Sequence, residues 1–271
     1  MKKIQIILFI ISFGFIFFLS SFSQCIADDT KARAIMKQVE ARDNGDNMTS
    51  DMLMVLIDKN KNRREKLFKN FSKDFGEDEK RIMFVKKPAD IYNTGFLTFD
   101  YDDEKKDDDQ WLFLPALGKT KRIATSDKSS SFMGSDLNYS DMTTKDTDDY
   151  NYKLLKEMTI NKQDVWLIRS EPKNKEIAEE TGYKQSIVAV RKDNYMVIKA
   201  KMLTSDNSYT KYMSVKKLEE IDGIWVALEN HIVKKQGKRT IHQTLLKQTN
   251  VKFNQDLSEN LFTIRQLEKG L

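Results

Sequence analysis

The chain has 271 residues, with 46 Lys and Arg against 41 Asp and Glu for a formal net charge of +5. The two signs are interspersed rather than gathered on one basic stretch, so nucleic acid is not an expected partner. One cysteine and two histidines leave little with which to build disulfides, thiolate metal sites or histidine-based hydrolysis.

Lys2 and Lys3 precede an apolar run from Ile4 to Leu19, which gives way to small and polar residues. The run is shorter than the ~20 residues that span a bilayer as a helix, and its layout predicts a signal peptide over residues 1–27, cleaved after Ala27. Secretion follows from it. The rival reading acylates Cys25, but Phe22-Ser23-Gln24 lacks the leucine and small residue that precede such a cysteine. Cleavage would remove that only cysteine and leave 44 basic against 41 acidic residues. The remaining 28–271 is expected to form one domain, held by packing alone and acting as a monomer.

In "KARAIMKQVEARDNG" the residues Ala32, Ile35, Met36 and Val39 form one apolar stripe, which predicts a helix capped by Asp29 or Thr30 and stopped by Gly45. From Thr49 the period changes to two. Strands are expected over Leu53–Ile57, Leu67–Phe71, Ile82–Phe84, Phe96–Tyr101 and Trp111–Leu114. A second series runs at 151–159, 164–171, 183–191, 195–203, 209–221, 224–235 and 238–250. The fold class is therefore mostly β with some α: a single curved antiparallel sheet of about 11 strands, an incomplete barrel. The leading helix and the widest gap, 115–150, are all that can cover its inner face. That gap holds "SSSFMGSDLNYSDM", whose Phe132 and Met133 sit among loop residues, and it reads as a lid.

Few residues suggest chemistry. "SVKK" at 214–217 matches Ser-x-x-Lys in letters but lies in a strand without companion motifs. A two-residue turn at Gln236-Gly237 would set His231 opposite His242, both turned outward by the apolar face of Leu228, Ile232, Ile241 and Leu245. Glu229 is the nearest third ligand for zinc, and no metal is expected. The carboxylate runs at 100–109 and 146–149 lack the EF-hand spacing and read as solvated hairpin tips. An apolar gap between lid and wall would be a lipid-sized pocket. Its candidate lining is Phe99, Trp111, Phe113, Phe132 and Met133, although ordinary core packing is the default for the strand aromatics.

Together "SKDFG", "GFLTFDYDDEKKDDDQWLFLPALGKTKRI", "SSSFMGSDLNYSDM" and "EIDGIWVALEN" resemble the LolA-like outer-membrane lipoprotein-sorting family, in the branch found beside transporters of the resistance-nodulation-division (RND) type. The resemblance covers about Ala32 to Glu268. It implies a periplasmic carrier, a half-barrel with an apolar cavity for lipid or lipoprotein acyl chains, no cofactor and no enzymatic activity. An inner-membrane RND-type transporter is the further implied partner. Arg64, Arg81 and Arg122 are the open candidates for the counterpart of the classical branch's acyl-gating arginine, and the resemblance assigns that role to none of them. A protein-interaction module serving a lipid-exporting transporter is the alternative function, with the sheet fully packed and Phe132 facing solvent.

Overall fold

A computed structural model describes residues 28–103 and 105–271. The predicted signal peptide, with Cys25, lies outside the described residues. The leading helix α1 spans Thr30–Glu40, and the Asp29 side chain accepts from the backbone N–H groups of Lys31 and Ala32. That is the capping expected of a short acidic side chain at this position.

Among the described residues, thirteen strands form one antiparallel sheet. The first half is β1 (Asn47–Asp58), β2 (Arg63–Phe75), β3 (Asp78–Lys87), β4 (Gly95–Asp100), β5 (Asp109–Leu114) and β6 (Lys119–Arg122). The second is β7 (Tyr150–Ile160), β8 (Gln163–Pro172), β9 (Tyr183–Arg191), β10 (Val197–Thr204), β11 (Thr210–Ile221), β12 (Ile224–Gln236) and β13 (Arg239–Phe253). The spatial order is β6-β5-β4-β3-β2-β1-β13-β12-β11-β10-β9-β8-β7. Each half is a meander, and the two join where β1 pairs with β13. The sheet is open, with β6 and β7 as its edges. Thirteen strands replace the expected eleven largely because β6 reads Lys-Thr-Lys-Arg, four polar residues without apolar alternation, inside what seemed a loop.

Residues 123–149 link one edge of this sheet to the other, so they must cross a face of it. Phe132 is 0 % exposed and packs with Met52, Met54, Leu56, Phe68, Val85 and Phe96 from β1 to β4. Farther along the crossing, Asp136 reaches Thr244 on β13, Asn138 reaches Lys211 on β11, and Asp141 accepts from Tyr183 on β9. The sheet wraps around this crossing segment, and α1 packs beside it on β7.

The outer face of the first half has a different cover. The chain after β13, ending in α3 (Ile264–Lys269), sets Phe262 and Leu267 against Phe84, Leu97 and Phe113. A Cβ on Gly95 would stand 2.6 Å from the Leu267 Cδ1 methyl, so glycine at this position gives the Leu267 side chain its seat on β4. A third helix, α2 (Lys175–Thr181), sits between β8 and β9 and closes against the crossing segment.

Candidate functional site

Strand parity divides the five predicted lining residues. Phe132 lies on the inner face, edge-on to Phe96 with ring centroids 5.0 Å apart. Met133 packs on the same cluster from a left-handed backbone, φ 47°, and its carbonyl accepts from Lys66 Nζ at 2.6 Å. Phe99, Trp111 and Phe113 belong to the outer face, under the C-terminal segment, with Phe99 and Trp111 in edge contact at 4.9 Å. The structure thus brings the first two together and separates them from the other three by the thickness of the sheet.

The histidines also depart from expectation. The β12–β13 turn pairs Gln236 with Arg239, and a bulge at Lys234/Lys235 then sets Lys234 opposite His242 and His231 opposite Leu245. One extra residue reverses the facing of everything beyond it. His242 therefore points inward, its Nδ1 2.8 Å from Oδ2 of Asp136, while His231 bonds Gln243. The outward histidine pair read from the turn does not form.

The crossing segment fills the inner face over β1 to β4 and leaves space over β7 to β10. There a cavity of about 440 Å³ lies between Met36 and Val39 of α1 and Tyr150, Tyr152, Val188 and Val197 of the sheet. Both α1 residues belong to the stripe that marked the helix in the sequence. The tyrosines are the missed part; their spacing of two in "YNY" marks one strand face, but nothing marks it as unfilled. Burial, and then the neighbouring Tyr150 and Glu40, push the Tyr152 hydroxyl far above its ordinary pKa, so it stays neutral.

Arg81 on β3 closes one side of the cavity. Its Nη1 donates to the Met142 carbonyl at 2.8 Å, and its Nε and Nη2 donate to Glu79 at 2.7 and 2.6 Å. Asp100 stands 3.2 Å away. Burial works against the guanidinium charge, yet Glu79 and Asp100 hold its pKa above the ordinary value. Arg122 is instead paired with Asp109 near the β6 edge, and Arg64 lies exposed on β2. Of the three candidate arginines, Arg81 is the one that lines the cavity.

Outside the cavity lies a cleft of about 490 Å³, and the two share Glu40, Asn44, Thr144, Lys145, Thr147 and Tyr150 as common wall. The two carboxylate runs read as separate hairpin tips meet in this cleft. Burial raises the pKa of Asp100, and burial together with the Asp100 charge pushes Asp108 up to about 6. Among the described residues no helix is long and apolar enough to cross a membrane.

The sequence profile of one family, described as uncharacterized-protein-like, matches residues 77–269. No curated protein matches the chain. Among solved structures, a DUF1329 family protein from Desulfovibrio piger is similar at 26 % identity and TM-score 0.81, over 89 % of this chain and all of that one. A putative outer membrane lipoprotein-sorting protein domain from Vibrio parahaemolyticus is similar at 27 % identity and TM-score 0.78, over 88 % and 98 % of the two chains. A LolA superfamily protein from Nitrosomonas europaea shares the fold at 17 % identity and TM-score 0.64, over 87 % and 98 %.

Proposed function

This chain belongs to the family whose profile matches residues 77–269 and is similar to an outer membrane lipoprotein-sorting protein domain, and we infer that it is a periplasmic carrier which holds lipid or lipoprotein acyl chains in its inner cavity for transfer between membranes. The observation that carries this reading is the apolar space of about 440 Å³ between α1 and β7 to β10. Its size falls within the range of small-ligand sites, roughly 300–1,000 Å³. Moving an acyl chain there from water gains about 0.8 kcal/mol per methylene, and no bond needs to be made or broken. Phe132 and Met133 serve this reading as the plug that fills the other half of the sheet. Phe99, Trp111 and Phe113 stiffen the wall from outside.

Transfer requires the cavity to open. Arg81 bridges β3 to the crossing segment through the Met142 carbonyl, and it is the proposed hinge-pin of that opening. The protein is proposed to act as a monomer and to hand its cargo to a membrane partner, of which an inner-membrane RND-type transporter is the expected one. The reading of a fully packed interaction module is disfavoured by the unfilled cavity and by the burial of Phe132.

The test is to purify the protein, identify bound lipid by native mass spectrometry and solvent extraction, and follow uptake of a fluorescent fatty acid. Recovered lipid and saturable uptake are expected. Val188→Trp should fill the cavity and abolish uptake while the melting transition persists. An empty protein that never takes up the probe, or a Val188→Trp protein that takes it up undiminished, sinks the carrier reading.

A further inference from the structure

The cleft at the mouth of the cavity has a charge that the rest of the molecule does not share. Thirteen carboxylates and four lysines line it, in a chain whose formal net charge is +5. The lysines are largely committed. Lys128, 4 % exposed, donates to Glu180 at 2.6 Å, and Lys145 lies over the Tyr183 ring 3.9 Å from Asp141. The cations at the cavity wall are also engaged: Arg81 by Glu79, Asp100 and Met142, and Arg42 by the carbonyls of Asp43 and Trp225.

Two independent features say that a ligand reaches this region. One is the apolar cavity, which shares six wall residues with the cleft. The other is Tyr152, 3 % exposed, which lines the cavity and whose hydroxyl hydrogen-bonds no other group among the described residues. An amphiphile whose apolar chain enters the cavity past the shared wall leaves its polar end among the carboxylates, while the Tyr152 hydroxyl lies on the cavity side of that wall. An anionic headgroup there meets like charge at short range in a partly desolvated cleft. A cationic one supplies the counter-charge the cleft lacks.

We propose that the cavity and its acidic mouth together select apolar chains bearing a cationic polar end, an ammonium group borne by a lipid headgroup or by basic residues next to an acylated terminus, over anionic amphiphiles. This rests on the carrier reading and names the class of cargo it takes. The raised pKa values of Asp74, Asp108 and Asp149, each due first to burial and then to neighbouring carboxylates, accord with a cleft in want of cations.

The test compares dodecylamine, dodecanol and dodecanoate as displacers of a neutral fluorescent lipid probe at low and high salt. Dodecylamine should displace about tenfold more tightly than dodecanoate at low salt, with the gap shrinking as the salt screens it. In the exposed triple variant Glu77→Gln, Asp102→Asn, Asp103→Asn the gap should narrow about fivefold. Val188→Trp should lose all three ligands, whereas adsorption to surface carboxylates would leave dodecylamine bound and overturn the proposal. An acylated Gly-Lys-Lys peptide outcompeting acylated Gly-Glu-Glu by more than dodecylamine outcompetes dodecanoate assigns the cation to a polypeptide; a smaller margin assigns it to a headgroup. If all three dodecyl ligands displace equally, the selectivity fails and the carrier stands. If none displaces the probe and the probe itself does not bind, the carrier reading fails as well.

Discussion

Phe132 and Phe96 meet edge to face, 5.0 Å between centroids, and Tyr139 completes the set at 5.6 Å from Phe132. Two of the three come from the crossing segment and one from β4, so the contact joins the insertion to the sheet. The turn that presents Phe132 is closed by Phe132 N–H donating to the Leu137 carbonyl at 2.7 Å and by Ser131 Oγ donating to the Ser135 carbonyl. Gly134 at φ 76° supplies the left-handed position this turn needs.

Phe132→Ala should therefore destabilise the fold by about 3–5 kcal/mol, the range for emptying a buried phenylalanine site. Phe132→Leu should cost less and keep fatty-acid uptake, since Phe132 does not line the open cavity. Urea melts with uptake assays check both. A Phe132→Leu protein that melts normally but takes up nothing would place the cargo at the plug instead.

Arg81 faces Glu79, Asp100 and the Met142 carbonyl, so Arg81→Gln removes the cation from two largely buried carboxylates. Breaking such a pair by deleting one member costs about 3–5 kcal/mol, and the partly exposed guanidinium puts this case at or below the lower end. The loss should be smaller at pH 4.5 than at pH 7.5, because Asp100, its pKa already raised by burial, can take a proton when the guanidinium is gone. Thermal melts at the two pH values measure it. An equal loss at both would mean that the carboxylates are not what Arg81 holds.

The sequence disclosed this fold wherever one face of an element is apolar and the other polar. The Ala32-Ile35-Met36-Val39 stripe marked α1 almost residue for residue, and the period-two runs marked the meanders. In β4 that contrast disappears: Phe96 goes inward and Leu97 and Phe99 outward, and both faces are covered. Alternation cannot say which side is which when both are buried, so Phe99 and Phe132 looked like neighbours. The bulge at Lys234/Lys235 has no mark in a run of polar residues, and it is what turned His242 inward toward Asp136. The cavity was illegible for a related reason. It is defined by side chains that do not meet, and only the path of residues 123–149 decides which half of the sheet is filled.

Asp108 illustrates the cost of the acidic cleft. With its pKa pushed up from 3.8 to about 6, the folded chain binds a proton that the unfolded chain does not between those values. Stability contributed by this group therefore falls as pH rises from about 4 to 6 and stays reduced above that. Its side chain accepts from the Tyr101 N–H at 3.1 Å, which an amide oxygen can also do. Asp108→Asn should raise stability by about 1 kcal/mol at pH 7.5, after discounting for partial exposure, and by little near pH 4. Denaturant melts across that range decide it; a destabilised Asn variant at pH 7.5 would show that the carboxylate charge is needed for folding.

Lys211 carries the opposite sign. It is 4 % exposed on β11, and its Nζ donates to Asn138 Oδ1 at 2.8 Å and to the Tyr183 hydroxyl at 3.0 Å, fastening the crossing segment to the second half of the sheet. Burial lowers its pKa from 10.5 to about 8, so between those values the unfolded chain holds more protons than the folded one. Stability from this group rises with pH across that window, and its cost is fully present below about 8. Lys211→Met removes the charge but leaves Asn138 and Tyr183 without their donor, so at pH 7 the two effects oppose and the net change should be small. The pH dependence is the cleaner signal. Between pH 7 and 10 the wild-type chain should gain on Lys211→Met by about 2 kcal/mol, somewhat less than the full shift because the unfolded lysine is still largely protonated at pH 10. Paired urea melts of the two proteins at pH 7, 8.5 and 10 read this difference directly, with other titrating groups cancelling between them. A difference that stays flat would mean that Lys211 keeps its charge in the folded protein well above pH 8.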